Sequence, residues 1–287
     1  GKRLAAISKY IDSTIYVFDL TRPNDPPREF PLYNPTTSHS NTDAGGVLYA
    51  DAIEFNITGE YLIYDACNIL RSSTGDDITY WDIGFMNVWD NSAGTFGDGT
   101  LSKLFGSLPE GVSVGNPVFS KNSPWIIAFD YIDDATGVYD VYGADLNAGR
   151  AGRIAENNTL GYPSFSKNDG KIAFTRLYLD NTESVECVAA IGLAADKISP
   201  SGSINLVVEF ARWPVFYAIG SRDLLLPPVA DFTVDKKTGN APLQVKFVDL
   251  SGNKPSSWLW TFEGGTPSSS VQQNPAVSYT VPGTYKG

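Results

Sequence analysis

Among the residue types that carry out chemistry, carboxylates are plentiful in this chain, whereas histidine and cysteine are scarce. The 287 residues include 32 Asp and Glu against 21 Lys and Arg, with one His and two Cys. A single imidazole, His39, excludes a multi-histidine zinc site, a His-x-x-x-His helix and a haem held by two histidines within the chain. A Ser-His-Asp triad would have to use His39, which lies in the polar stretch 36–42, where no packing residue would orient a base. Oxygen ligands cluster most densely as Asp130, Asp133, Asp134 and Asp140, all within eleven consecutive positions ending at Asp140. Closely spaced carboxylates suit Ca²⁺, so these four are the candidate calcium ligands and calcium is the one candidate cofactor. Their spacing is not that of an EF-hand, and the competing reading is a solvated turn through Asp134-Ala-Thr-Gly137. Trp81, in the irregular stretch 76–85, is a candidate stacking platform for a sugar. Arg176, the cation following a run of apolar residues, is a candidate partner for an anionic group. No carboxylate pair is nominated by spacing alone for glycoside hydrolysis.

Composition narrows the partners. A net charge of −11 and a sequence pI near 4.5 repel phosphate backbones and anionic membranes, which argues against nucleic-acid binding. No apolar run approaches the roughly 18 residues that a transmembrane helix needs. At 42% hydrophobic and 13% aromatic, the chain is too apolar to be disordered.

The elements that must position these residues are repetitive. Ala52-Ile-Glu-Phe55 followed by Tyr61-Leu-Ile-Tyr-Asp65 reads as strand, turn, strand. The phrase returns as Asn116-Pro-Val-Phe119 with Trp125-Ile-Ile-Ala-Phe-Asp130, and as Tyr162-Pro-Ser-Phe165 with Lys171-Ile-Ala-Phe-Thr175. The chain opens on the second half of the phrase, Leu4-Ala-Ala-Ile7. Third strands follow at 15–19, 86–90, 141–145 and 188–192, and fourth ones at 29–33, 101–105, 152–155 and 204–208. A lone first strand is expected at 213–219. Asp19, Asp90 and Asp145 close three of the third strands, where a carboxylate caps the departing turn. Trp125 and Trp213 fall at repeat positions expected to be packed. Cys67 and Cys187 lie a whole repeat apart and are expected to be free, buried thiols. Asn56-Ile-Thr58 and Asn157-Asn-Thr159 are glycosylation sequons.

Four short strands per unit and no amphipathic helix describe a propeller blade. The phrase Tyr162-Pro-Ser-Phe-Ser-Lys-Asn-Asp-Gly-Lys-Ile-Ala-Phe174 resembles the TolB-like, WD40-like (PD40) repeat, over roughly residues 1–222. After a proline-bearing linker at 223–228, residues 229–287 resemble a PKD domain, an Ig-like sandwich. That likeness rests on Ala230-Asp-Phe232, Ala241-Pro-Leu243, Trp258-Leu-Trp260-Thr-Phe262 and Pro282-Gly-Thr-Tyr285. The family's core acids are replaced by Thr261 and Gly264. The expected fold is therefore all-β: a propeller of four or more four-stranded blades, followed by an Ig-like β-sandwich. The opening inside a blade and the end before the sandwich's last strand predict a piece of a longer polypeptide. Both resemblances imply an extracellular, cell-surface or periplasmic binding or scaffold protein. Its propeller face would meet a protein or polysaccharide, and the PKD module would serve as spacer. The rival expectation is the accessory or catalytic propeller of a secreted polysaccharide- or peptide-degrading enzyme. The peptidase version of that rival needs a separate α/β domain.

Overall fold

The structure is a computed structural model that describes residues 2–8, 12–34, 43–71, 75–180, 183–217 and 228–285. His39 and most of the expected linker lie outside the described residues. The described residues contain strands and no helix, and the chain divides into two compact units, 1–224 and 225–287.

In the first unit, apolar runs broken by turns fold into successive antiparallel sheets, each a meander in chain order. β1 (Arg3–Ile7), β2 (Thr14–Asp19) and β3 (Arg28–Pro31) form the first sheet. β4 (Asp43–Phe55), β5 (Tyr61–Arg71) and β6 (Asp77–Asn87) belong to the second sheet. A small hairpin, β7 (Trp89–Asp90) with β8 (Thr95–Phe96), precedes β9 (Leu101–Lys103), which completes that sheet. β10 (Val112–Phe119), β11 (Ile126–Asp133), β12 (Val138–Asp145) and β13 (Arg150–Asn157) make the third. β14 (Ser164–Phe165), β15 (Lys171–Asp180), β16 (Glu183–Leu193) and β17 (Pro200–Glu209) make the fourth.

The blade character shows in how the cores are shared. Leu62 and Tyr64 of β5 pack with Ile15 and Val17 of the first sheet, while Ile63 between them packs with Phe119 and Phe129 of the third. Ile127 and Phe129 of β11 join that same core, and their neighbours Ile126 and Ala128 face Phe165 and Phe174 of the fourth sheet. Strands buried on both faces read as continuous apolar runs rather than alternating ones, which is why the repeats look as they do.

Two expectations about the elements are corrected. The third strand of the second blade runs from Asp77 to Asn87, so Trp81 sits in a strand opposite Cys67 rather than in an irregular stretch. Trp89 and Asp90 leave that strand for their own hairpin, because Asp90 Oδ1 accepts the Ser92 and Ala93 amides and bends the chain there. Within the described part of 213–219 there is no strand. Pro214 lacks a donor, and the Trp213 and Phe216 amides go to side chains of the fourth blade instead of to a ladder.

In the second unit, β18 (Phe232–Val234), β19 (Leu243–Asp249) and β22 (Ala276–Tyr279) pair in the order β18-β19-β22, and β20 (Trp260–Thr261) pairs with β21 (Ser269–Ser270). Val245 and Phe247 alternate with exposed neighbours and meet Phe262 and Val277 in one small core. Gly264 stands at φ 68 against the Tyr285 ring, so the acid expected at that position would need both the left-handed region and the space that ring fills.

Phe165 is fully buried in the core between the third and fourth blades. Phe165→Ala is expected to lower stability by about 3–5 kcal/mol, read by urea unfolding of the first unit's transition.

Candidate functional site

A groove of about 480 Å³ runs over the inner strands of the second, third and fourth blades. Its walls are Ala52–Glu54, Asn116–Val118, Tyr162–Ser164 and the segment Trp213–Val215, with Lys121 beside them. Glu54 and Lys121 form an ion pair at 3.4 Å. Tyr162 and Trp213 meet edge to face with ring centroids 6.0 Å apart, and the Arg212 guanidinium lies 4.0 Å over the Trp213 ring. Trp213 is 54% exposed, correcting the expectation that it packs, because no following sheet covers it among the described residues. The groove thus has an aromatic, cation-bearing rim.

Beneath it, three side chains at one place in the repeat each hold the segment that follows their own blade. Asp65, at the Tyr-Asp end of its phrase, accepts the Ala52 amide of its own blade and the Asn116 amide of the next, each at 2.7 Å. Asp130, at the matching position, accepts the Asn116 carboxamide at 2.8 Å and the Gly161 and Tyr162 amides at 2.9 and 3.1 Å. Thr175, third in the series, donates its own amide to the Gly161 carbonyl, and its Oγ1 accepts the Trp213 amide. The receiving residues Asn116, Tyr162 and Trp213 all precede proline and all have positive φ, at 50, 48 and 56. For bulky Tyr and Trp that conformation is strained and needs an acceptor to hold it. Gly161 is required by the same contact, since a Cβ there would fall 2.8 Å from Asp130 Oδ1.

Asp65 and Asp130 are 3% and 2% exposed. Burial pushes both carboxyls up to about 6, against the opposing pull of the amides that donate to them. The Asp65 charge raises Asp130 further.

The expected site residues are dispersed. Asp130 and Asp140 lie on opposite faces of their sheet, since Asp130 stands opposite Val141 and Asp140 opposite Tyr131. Asp133 caps its own turn through the Ala135 and Thr136 amides, Asp134 is exposed, and Asp140 pairs with Arg153 at 3.4 Å. The four candidate calcium ligands are not brought together, and no group of three or more His, Cys, Asp or Glu among the described residues is placed to hold a metal ion. Trp81 is half-buried, edge to face with Tyr49 at 5.5 Å, and Arg176 donates to the Glu156 carbonyl at 2.8 Å. Neither lines the groove.

Asp19, Asp90 and Asp145 cap turns, as expected: each accepts the amide two residues on, and Asp90 and Asp145 accept the next amide as well. Cys67 and Cys187 are free and buried, as expected, and burial pushes both thiols above the ordinary range, away from nucleophilic thiolates. Asn56, in the first sequon, is buried, its carboxamide oxygen accepting the Glu60 and Tyr61 amides. Asn157, in the second, donates to the Thr159 and Thr175 carbonyls. Gly111-Val-Ser113-Val-Gly115 has the spacing of a nucleophile elbow. Ser113 nevertheless lies inside β10, buried, accepting the Trp81 amide, with no helix after it, so its hydroxyl is structural.

No protein-family model matches the chain, and no curated protein sequence matches it. Solved structures with propeller-like folds do. TolB from Acinetobacter baumannii is 17% identical at a TM-score of 0.43, covering 75% of this chain and 43% of that one. Oligogalacturonate lyase from Vibrio parahaemolyticus is 10% identical at 0.34, covering 72% and 62%. A chain of the nidogen/laminin complex is 12% identical at 0.35, covering 86% and 89%. The chain thus spans less than half the length of that TolB structure. Likenesses this distant carry no site residue across.

Two results follow from this geometry. Because folding raises the Asp65 and Asp130 carboxyls above the roughly 4 of an unfolded chain, the native state holds extra protons between about pH 4 and 6. Their contribution is present in full below pH 4 and lost as pH rises through 6. Asp130→Asn is expected to lower stability at every pH and to flatten that slope, measured by thermal unfolding from pH 4 to 8. With the four aspartates apart, adding 1 mM Ca²⁺ to chelator-treated protein is expected to leave the unfolding midpoint of the first unit unchanged within about 1 °C, read by calorimetry.

Proposed function

We propose that this chain is a non-catalytic binding module of an extracellular, cell-surface or periplasmic protein, with the inner-strand groove as its recognition face for a protein or polysaccharide. The observation that carries this reading is the pairing of an exposed Trp213–Arg212 platform with carboxylates that are already committed. Asp65 and Asp130, the buried acids beneath the groove, spend their oxygens on amides, and Glu54 on its wall is held by Lys121 and the Phe119 amide. An exposed indole carrying a stacked guanidinium suits recognition, offering a flat apolar surface and directed donors.

The second unit serves as a PKD-like, Ig-like spacer in this proposal. Its alternating β19 supports that, as does the Tyr285 hydroxyl, which donates to the Val281 carbonyl at 2.7 Å like the tyrosine corner of Greek-key sandwiches. No helix among the described residues is long and apolar enough to cross a membrane.

The test is a binding array of polysaccharides and extracellular proteins, run in parallel with turnover assays on the same panel. Saturable binding that Trp213→Ala weakens about tenfold is the expected result. Turnover of any glycan or peptide, or silence across the whole array, would overturn it.

A further inference from the structure

A second cavity, also of about 480 Å³, lies between the second and third blades, away from the groove. It owes its shape to one departure from the repeat. The loop between first and second strands spans 56–60 in the second blade and 166–170 in the fourth, but 120–125 in the third, one residue longer. The extra length ends in Pro124-Trp125 and leaves the indole 38% exposed on the cavity wall, its carbonyl held by the Leu146 amide at 2.9 Å. Phe85 and Phe105 line the same space, half-buried.

Two polar groups on this lining make no side-chain hydrogen bond or close ion pair among the described residues. Arg150 is exposed, with Asp196 as a more distant charge and no ion pair within 4 Å among the described residues; Asp145 opposite it caps its own turn, and the Tyr61 hydroxyl makes no hydrogen bond among the described residues. A cavity of this volume, walled by aromatic rings and carrying an exposed guanidinium and a hydroxyl whose hydrogen-bonding capacity is open, has the make-up of a small-ligand site. The rings demand a flat apolar body, and the guanidinium demands a planar anion that it can grip with two parallel bonds.

We propose that this cavity binds a small aromatic carboxylate, its ring stacked on Trp125 and its carboxylate on Arg150. The proposal is independent of the groove and of any partner bound there.

The test titrates the full chain with 2-naphthoate and with its neutral counterpart 2-naphthol, following tryptophan fluorescence and heat. Saturable, one-to-one binding of naphthoate at sub-millimolar concentration is expected. Arg150→Gln, an exposed change that leaves the fold intact, is expected to weaken naphthoate about tenfold and to leave naphthol within about twofold. Trp125→Ala is expected to remove both. Absence of saturation up to about 5 mM, or naphthoate affinity that Arg150→Gln leaves unmoved, overturns the proposal. If Trp125→Ala misfolds, the Arg150→Gln comparison still decides it.

Discussion

The first unit depends on a carboxylate or hydroxyl of one blade accepting a backbone amide of the next. Hydrophobic packing between blades is broad and undirected: it favours contact, but it does not say at what height or angle one sheet meets its neighbour. The acceptors at Asp65, Asp130 and Thr175 supply that direction at the inner rim, where the first strands converge. A buried carboxylate is costly unless its lone pairs are filled, so the same burial that isolates Asp65 and Asp130 from water makes their amide partners indispensable. The strained φ of Tyr162 and Trp213 is held in place by this arrangement.

That commitment also shapes what the chain can do. Acids raised by burial are usually read as catalytic candidates, and here the two strongest examples sit directly under a groove. In both, each carboxylate oxygen already accepts at least one donor of the inter-blade joint. A second buried pair, Lys103 with Asp82 at 2.5 Å, is likewise inward-looking, with Tyr80 beside the lysine.

Most strands were legible because the repeat phrase places apolar runs between turn residues, and the caps at Asp19, Asp90 and Asp145 were legible because a turn needs only local acceptors. Asp65 and Asp130 stood in plain view at the ends of their phrases but pointed at partners in the following repeat, a relation that spacing within one phrase cannot express. Thr175 hid the pattern further by replacing the acid with a hydroxyl. The usable signal was the proline after Asn116, Tyr162 and Trp213, one step past each receiving amide. Asp130 drew attention for its neighbours in sequence, whereas its neighbours in space belong to other strands. Trp213 looked packed because its phrase resembles the others, yet packing requires a sheet to follow.

The staple between blades is made by a side chain on one side only; the other side is always backbone. Every residue except proline owns an amide, so Asn, Tyr and Trp can each serve at the receiving position. The joint therefore asks each blade for one short polar acceptor at the end of its phrase and asks nothing of the side chain it receives.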